Sequence, residues 1–214
     1  MKKLLLPLAL VAFLFGCKES GNQESKVETD ESFNKVKTAG VFVLGLDDSF
    51  PPMGFRDKEN NIVGFDIDLA TEVCARLGLQ LKTQPISWDA KEQELNTGKI
   101  DCIWNGMSVD SARAKAMNLS DAYLKNRMIF TVKDKSLASL SALAGKKIAV
   151  QNGSTAQKLL EASEAGKAAK EIVPFDDNQT ALMDLEKGGV EAVFLDEIVA
   201  KYWITTNGKD YVVL

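Results

Sequence analysis

The stretch LNTGKIDCIW at residues 95–104 decides the organisation of this chain, because its pattern returns as LEKGGVEAVF at residues 185–194. Each copy has a leucine from a helical run, then a glycine, an acidic residue and a short apolar strand. The glycines are Gly98 and Gly188, and glycine is the residue that most often ends a helix. The repeat, at an offset of 90 residues, therefore predicts two lobes that share one architecture.

Outward from these two stretches, apolar runs alternate with helical periods in both halves of the chain. In the first half we predict strands at 40–46, 79–85 and 100–104, and helices at 64–77 and 91–95. In the second half we predict strands at 146–150, 171–174, 190–195 and 211–214, and helices at 155–169, 180–186 and 197–203. This alternation predicts an α/β fold in which each lobe has a mostly parallel sheet with flanking helices.

The predicted boundaries place lobe one at residues 35–126 and lobe two at residues 127–214. Between Tyr123 and Lys133 the sequence is typical of an extended crossover rather than of a flexible linker. In the helix predicted at 64–77, an apolar face is expected to carry Phe65, Leu69, Val73 and Leu77, and Gly78 is expected to end the helix.

The N-terminus has the pattern of an export signal. Lys2 and Lys3 precede an apolar run of 12 residues, Leu4 to Phe15, which is shorter than the ~20 residues that span a bilayer. The run ends in Leu14-Phe15-Gly16-Cys17, which resembles a bacterial lipobox, although Phe15 is larger than the usual small residue. We therefore predict a lipoprotein signal peptide at 1–16 and lipid attachment, such as palmitate, at Cys17. The alternative is an ordinary signal peptide with an incidental cysteine.

The residues after Cys17 are polar, with Val27 as the one apolar side chain between Lys18 and Glu31. Such a composition buries too little apolar surface to fold, so residues 17–34 are predicted to be a flexible tether. A signal peptide followed by a tether predicts an exported protein, lipid-anchored at the outer face of the cell membrane or in the periplasm.

The amino-acid composition excludes several kinds of catalytic site, metal site and partner. The 214 residues contain no histidine, which excludes a Ser-His-Asp triad, a Cys-His pair and a histidine-ligated zinc site. The formal net charge is -4 and no basic stripe is present, so nucleic acid is not an expected partner. No metal and no cofactor are expected. Cys74 and Cys102 are predicted either to form a disulfide, which export permits, or to serve as core residues.

Candidate binding residues follow the predicted strands, where open α/β sheets bind their ligands. They are Asp47, Phe50, Trp88, Asn105, Gly106, Ser108, Arg113, Gln151, Thr155 and Asp196. Arg113 has the forked geometry that binds a carboxylate, and Asp196 is suited to an ammonium group. The helix N-terminus at residues 153–155 is expected to offer free backbone N–H groups to the same carboxylate. The set predicts a site for the zwitterion of a free amino acid, since neither charge is stable when buried alone.

Each of these residues also has an ordinary structural explanation. The alternative for Arg113 is a solvated surface charge, although binding is favoured for this residue even when it is taken alone. The alternative for Phe50 and Trp88 is core packing. Asp196, Ser154 and Thr155 are each suited to cap a helix. The binding interpretation depends on their joint position at successive strand ends in two matched lobes.

Several sequence blocks, in order, resemble the extracellular solute-binding proteins of polar amino-acid ABC importers. The blocks lie at 45–55, 63–69, 98–106, 118–123, 145–155 and 192–196. The resemblance implies a two-lobe clamshell of the periplasmic-binding-protein type II, acting with an ABC transporter permease. It also implies that Arg113, Ser108 and Thr155 bind the ligand carboxylate, that Asp196 binds its amino group, and that Gly106 offers backbone contacts.

For the ligand side chain, the same resemblance implies that Phe50 and Trp88 sandwich it and that Asp47 contacts a polar or basic tip. Gln151 lies where specificity varies in the family. Members of the family usually continue for some fifty residues beyond the equivalent of Leu214, so the last part of lobe one is expected to be missing from this sequence.

The predicted function is that of a receptor, monomeric and without enzymatic activity, that binds one free amino acid, polar or basic by preference, and delivers it to an importer. Three alternatives remain open at this point. They are a dehydratase-type enzyme related to the family, a sensor input domain, and a truncated fragment that does not bind.

Overall fold

The computed structural model of the chain describes residues 31–214. The predicted signal peptide at 1–16, the lipid attachment at Cys17 and most of the predicted tether lie outside the described residues. A helix begins at Ser32 and ends at Ala39, so the last three residues assigned to the tether, 32–34, are helical. Its buried residue is Val36.

Lobe one is built around a small parallel sheet. In chain order its elements are α1 (Ser32–Ala39), β1 (Val41–Leu46), β2 (Ser49–Phe50), β3 (Gly54–Arg56), β4 (Ile62–Val63), α2 (Phe65–Leu77), β5 (Gln80–Pro85), a 3-10 turn (Trp88–Ala90), α3 (Lys91–Asn96), β6 (Cys102–Ile103) and α4 (Ser111–Ala116). The sheet order is β5-β1-β6, and both pairings are parallel, as predicted. The predicted strand 100–104 is reduced to two residues in β6.

A second, antiparallel sheet of order β2-β3-β4 was not predicted from the sequence. Its strands have two or three residues each, which is too short for a periodic pattern to be visible. Phe50, which ends β2, is buried in a core cluster made mainly of lobe-two residues.

The buried face of α2 differs from the predicted one. Asp66, Ile67, Ala70 and Cys74 are buried, whereas Phe65, Val73 and Leu77 are exposed. The spacing of apolar residues correctly predicted a helix, and Gly78 ends it in the left-handed conformation. The spacing alone did not reveal which of the two apolar stripes packs against the sheet, because Ile67, Ala70 and Cys74 also recur at helical intervals.

Lobe two has a five-stranded sheet of order β11-β7-β10-β8-β9. Its elements are β7 (Met128–Val132), 3-10 turns (Lys135–Leu137 and Leu140–Leu143), β8 (Lys147–Gln151), α5 (Thr155–Ala162), α6 (Glu164–Ala168), β9 (Glu171–Phe175), α7 (Asn178–Lys187), β10 (Ala192–Asp196), α8 (Glu197–Thr206) and β11 (Val212–Val213). The β10-β8 and β8-β9 pairs are parallel. The β10-β7 and β11-β7 pairs are antiparallel, so only half of this sheet follows the parallel pattern expected for the lobe.

One predicted helix of lobe two is divided. The run 155–169 forms α5 and α6, which meet at Ser163. Ser163 has an extended backbone, and its hydroxyl accepts a hydrogen bond from the backbone N–H of Gly166. A serine that caps a new helix competes with continuation of the old one, and this explains the break.

The two copies of the opening pattern have the same structure. Gly98 and Gly188 both have positive φ, at 70° and 82°, and both follow a helix, α3 or α7. The acidic residues that follow them make equivalent bonds. The Asp101 carboxylate accepts from the backbone N–H of Val43 at 2.8 Å, and the Glu191 carboxylate accepts from that of Lys147 at 2.8 Å.

The described chain from Ser32 to Leu214 forms one compact unit, and the parallel sheet of lobe one shares no strand with the five-stranded sheet of lobe two. Leu44, Leu46, Ile67 and Ala70 form a core cluster under the first sheet. A larger cluster is built mainly from lobe two but also includes Phe50 and Met53 of lobe one. The lobes are therefore packed against each other through the region of Phe50.

Cys74 and Cys102 are free thiols in the structure and do not form a disulfide. Cys74 is buried on α2, and the Cys102 thiol donates to the carbonyl of Ile103. Burial raises the pKa of Cys102 to about 11. Cys74 is therefore a buried residue, which was the alternative to pairing, whereas Cys102 is half-buried.

Candidate functional site

The candidate binding residues lie at the strand ends where the two lobes meet. Asp47 follows β1, Asn105 follows β6, Gln151 ends β8 and Asp196 ends β10. Contacts between the lobes connect several of them directly, although they are far apart in the sequence. Parallel strands bring their carboxyl ends to one edge of a sheet, which is why residues from successive strands meet there.

Arg113 is the most buried charged group of the site, with 2% of its surface exposed. Its Nη1 donates to the Ser108 carbonyl at 2.7 Å in lobe one and to the Thr155 hydroxyl at 2.9 Å in lobe two. Its Nε has no hydrogen-bond partner and lies 3.6 Å from the Asp110 carboxylate. This geometry excludes a solvated surface role for Arg113 and holds its guanidinium where the two lobes meet.

Local capping fixes the orientation of Arg113. Asp110 is the N-cap of α4, and its carboxylate accepts from the backbone N–H groups of Ala112 and Arg113, each at 2.9 Å. The same carboxylate balances the buried guanidinium. Burial lowers the pKa of Arg113 from its ordinary value, while Asp110, Glu92 and Asp196 oppose this shift.

Asp196 is the opposite charge of the site and is 7% exposed. It precedes α8 in the N-cap position, but its side chain makes no capping bond. Instead Oδ1 accepts a hydrogen bond from the Asn126 amide. Burial raises the pKa of Asp196 to about 6, against the Asn126 bond and the attraction of Arg113. The helix-capping explanation for Asp196 is therefore wrong, and the carboxylate is free to bind another group.

The Arg113 and Asp196 charges attract each other without forming an ion pair. Asp110 offsets the Arg113 charge in part, whereas no cation pairs with the buried Asp196 carboxylate within the described residues, and a buried charge is costly unless it is paired. The ammonium and carboxylate of a zwitterion have the charges that would satisfy both.

The N-terminus of α5 differs from the prediction. The Ser154 hydroxyl caps the helix by accepting from the backbone N–H of Gln157, and the Gly153 N–H donates to the Gln157 side chain at 2.8 Å. The Ser154 N–H in turn donates to the Gln151 carbonyl at 3.4 Å. The N–H groups of residues 153 and 154 are thus already used, and the Thr155 hydroxyl is the group of this turn that bonds to Arg113.

A second bridge between the lobes joins Asp47 to Gln151. The Gln151 amide donates to the Asp47 carboxylate at 2.7 Å, and Asn178 donates to the Gln151 oxygen at 3.0 Å. Burial raises the pKa of Asp47 to about 6, and repulsion from Asp177 and Asp48 adds to the effect. This end of the site therefore has one buried carboxylate with two less buried acidic neighbours, which favours a positively charged or hydrogen-bond-donating ligand group.

Phe50 and Gly106 lie against each other. Gly106 has a φ of 58°, and a Cβ at this position would lie 3.3 Å from Met53 and 3.5 Å from Phe50. Asn105 accepts from the backbone N–H of Asp47 at 3.0 Å, while its own amide nitrogen is buried without a partner. A cavity of about 740 Å³ adjoins these residues and also reaches Ser108 and Asp196. Its volume lies within the roughly 300–1,000 Å³ of ligand pockets.

That cavity does not extend to the whole predicted site. Arg113, Thr155, Trp88, Asp47 and Gln151 are not among the residues that line it. Arg113 and Thr155 are instead hydrogen-bonded to each other across the lobes, as are Asp47 and Gln151. The structure thus brings the predicted residues into two neighbouring groups.

Trp88 is buried, but it is not stacked on Phe50 in the part of the chain that the structure describes. Its contact is with Lys91, whose Nζ lies 5.0 Å from the indole centroid. The Lys91 Nζ also donates to the carbonyls of Trp88 at 2.9 Å and of Gly153 at 3.0 Å. The sandwich of a ligand side chain between Phe50 and Trp88 stays a prediction.

Sequence reasoning missed three residues of the site, namely Lys91, Asp110 and Asn126. Asp110 had a visible signal, since an aspartate before a short helical run is a common N-cap. Lys91 and Asn126 had none, because each acts on a residue more than 60 positions away.

Residues 31–214 contain neither a cluster of metal-ligating side chains nor a helix suited to span a membrane. No group of three or more Cys, Asp or Glu side chains is placed to hold a metal ion. No helix among these residues has the length and apolar character needed to cross a membrane.

Comparison with known proteins identifies the family. Residues 42–203 match the profile of the bacterial extracellular solute-binding proteins, family 3. The ABC transporter arginine-binding protein 1 of Escherichia coli (strain K12) is 28% identical over 207 residues, which are 97% of this chain and 76% of that protein. The chain spans a smaller share, between 63% and 66%, of several other curated relatives.

Solved structures agree with the fold. An ABC uptake transporter substrate-binding protein from Streptococcus pneumoniae with bound histidine has a TM-score of 0.82 and 32% identity, covering 86% of this chain and 78% of its own. An ancestral amino acid-binding protein, described as a precursor of cyclohexadienyl dehydratase, has a TM-score of 0.78 and 29% identity, covering 85% and 80%. The predicted α/β clamshell of the periplasmic-binding-protein type is confirmed by these similarities, whereas the exact lobe boundaries stay a prediction.

Proposed function

We propose that this chain, which belongs to the bacterial extracellular solute-binding proteins of family 3, binds one free amino acid between its lobes and delivers it to an ABC importer. The support is its similarity to proteins named for the binding of arginine, histidine and cystine. The family is an extracellular one, so the protein is exported.

The observation that carries the proposal is the arrangement of Arg113 and Asp196. Both are almost fully buried, both lie where the lobes meet, and neither neutralises the other in an ion pair. Arg113 binds the ligand carboxylate with help from Ser108 and Thr155. Asp196 binds the ammonium group. A ligand that contacts both lobes at once stabilises the closed arrangement over an open one, because the open form offers only part of these contacts.

A polar or basic side chain suits the other end of the site. Asp47 is buried among further acidic groups, and the Gln151 amide is its partner across the lobes. A ligand side chain with N–H donors or a positive charge would replace or extend that bond. Phe50, Gly106 and Asn105 provide an apolar wall and nearby polar groups on the lobe-one side.

The proposed mechanism is binding and release, without a chemical step. An enzyme of the dehydratase type is the second candidate, because one structural neighbour is described as the precursor of such an enzyme. The absence of histidine from the sequence removes the commonest general acid and base. We also propose attachment to the membrane by a lipid at Cys17, action as a monomer, and docking of the closed form on a permease.

Calorimetric titration with each of the twenty amino acids tests the proposal, and polar or basic ligands are expected to bind best. Arg113→Met is expected to weaken binding of every ligand by roughly 100-fold or more, because it leaves the carboxylate unpaired. Arg76→Met is the matched control, since Arg76 is an exposed arginine of lobe one whose side chain is 77% accessible.

Two results would contradict the proposal. One is normal affinity in Arg113→Met, which would remove Arg113 from the carboxylate site. The other is turnover of a bound compound, detected by mass spectrometry of the recovered ligand, which would favour the enzyme instead.

A further inference from the structure

We propose that Lys91, with the turn at Asn152 and Gly153, forms a latch that stabilises the closed arrangement of the lobes whether or not a ligand is present. The inference rests on the proposed closure of the two lobes. It concerns groups that hydrogen-bond to protein atoms rather than the groups assigned to the ligand charges, and it assigns a role to a lysine that the sequence pattern did not single out.

The Lys91 side chain is the first element of the latch. Lys91 begins α3 in lobe one and is 4% exposed, which is unusual for a lysine without a carboxylate partner. Its Nζ donates to the Trp88 carbonyl in its own lobe and to the Gly153 carbonyl in lobe two, at 2.9 and 3.0 Å. A donor shared between carbonyls of both lobes makes its second bond only when the lobes are together.

The second element is a close backbone approach at Gly153. A Cβ on Gly153 would lie 2.8 Å from the Asp89 Cα and 3.0 Å from its Cβ, so only glycine allows the two turns to meet at this distance. Beside this contact, the Asn152 amide donates to the Asp89 carboxylate at 3.3 Å. Two polar bonds, from Lys91 and to Asp89, and one van der Waals contact therefore join this part of lobe one to the β8–α5 turn.

Lys91 forms no ion pair within the described residues, although charged groups surround it. The positive groups Arg113 and Lys158 repel it, whereas Glu92 and Asp89 attract it. Burial and the repulsion from Arg113 lower the pKa of Lys91 to about 8. A neutral amine keeps two N–H groups, which is the number of carbonyls that it contacts, so the latch survives loss of the proton.

The latch is expected to change the affinity for every ligand by the same factor. When a ligand requires the closed form and that form is a minor state of the free protein, the apparent dissociation constant is inversely proportional to the closed fraction. Loss of the latch therefore weakens every ligand by one factor, and that factor equals the loss of the closed fraction in the ligand-free protein.

Distances between spin labels at Arg76 and Lys167, one exposed site on each lobe, measure the closed fraction by pulsed electron resonance. The three native cysteines are replaced by alanine in this background. Lys91→Met keeps the apolar stem and removes the donors. It is expected to lower the ligand-free closed fraction by roughly 5-fold, and to weaken all amino acids that bind by the same factor. Asn152→Ala is expected to act in the same direction, with a smaller factor.

Lys99→Met is the matched control, because Lys99 is an exposed lysine of lobe one that pairs with Glu94 in its own lobe. It is expected to change neither quantity. An unchanged closed fraction in both Lys91→Met and Asn152→Ala overturns the latch. If Lys91→Met does not fold, as judged by circular dichroism, Asn152→Ala carries the test.

A loss of affinity that depends on the ligand side chain would also overturn the proposal, since it would place Lys91 in the ligand wall through its contact with Trp88. The closed fraction is measured without ligand. A chain that binds no amino acid would therefore refute the proposed function and still leave the latch open to this measurement.

Discussion

Asp47 is the carboxylate on which the choice of ligand side chain is expected to depend. Two hydrogen bonds, from the Ser49 backbone and the Gln151 amide, orient it, and no positive side chain bonds to it within the described residues. Asp48, its neighbour, is paired with Arg56 and is more exposed. The two adjacent aspartates therefore differ in environment although they are chemically identical.

Asp47→Asn is expected to reduce affinity for arginine by roughly 10- to 100-fold while changing affinity for glutamine by much less, because only the charged tip requires a carboxylate. Titration calorimetry with both ligands measures the ratio. Asp48→Asn serves as the control and is expected to leave the ratio unchanged. Equal losses for both ligands in Asp47→Asn would show that Asp47 supports the fold of the site instead of selecting the side chain.

The elements that position the site depend on the repeated pattern at Gly98 and Gly188. In each copy the acidic residue after the glycine accepts the backbone N–H of a neighbouring strand, β1 or β8. Its own N–H donates back to the carbonyl of the same strand residue, Val43 or Lys147. This exchange fixes the register of the strands whose other ends carry Asp47 and Gln151.

Asp101→Ala and Glu191→Ala are each expected to lower the free energy of unfolding by about 1 kcal/mol, because each leaves one strand N–H without its partner. Urea denaturation measures the change. Glu164→Ala is a suitable control, since the Glu164 side chain is 91% accessible and its partner is a lysine of the same helix. A loss as large in the control would mean that the bonds to the strands contribute nothing specific.

At the scale of the whole molecule, ionisation of Asp196 makes both the stability of the fold and the affinity for ligand depend on pH. Its pKa in the folded chain is about 6, above the ordinary 3.8, because it is buried between the lobes. Protonation of this group therefore stabilises the ligand-free fold at low pH, and that contribution is lost as the pH rises through about 6. Binding of a ligand ammonium needs the ionised form, so affinity should rise over the same interval.

Affinity for glutamine at pH 5 is expected to be up to about 10-fold weaker than at pH 7.5, since one pKa unit corresponds to a factor of ten. Glutamine suits this calorimetric experiment because its amino group keeps its proton across the range. Asp196→Asn is expected to bind weakly without this pH dependence, whereas Asp47→Asn is expected to retain it. A pH dependence that survives in Asp196→Asn would assign the titration to another group.

The sequence by itself determined the local elements and the chemical types at the strand ends. Helix and strand periods, the stops at Gly78, Gly98 and Gly188, and the charges of Arg113 and Asp196 are all readable within short windows. They follow from side-chain spacing and backbone preference, which are local properties. The order of the family blocks along the chain gave further information, which no single short window of sequence contains.

Only the tertiary structure decided which face of α2 is buried, that half of the second sheet is antiparallel, and which partners the site residues have. Asn126 meets Asp196 across 70 positions, and Lys91 meets Gly153 across 62. Such contacts depend on how the two lobes pack. The free energy of packing is a property of the pair of surfaces and not of either surface alone. Local patterns specify each surface separately, and for this reason they could not predict the pairs.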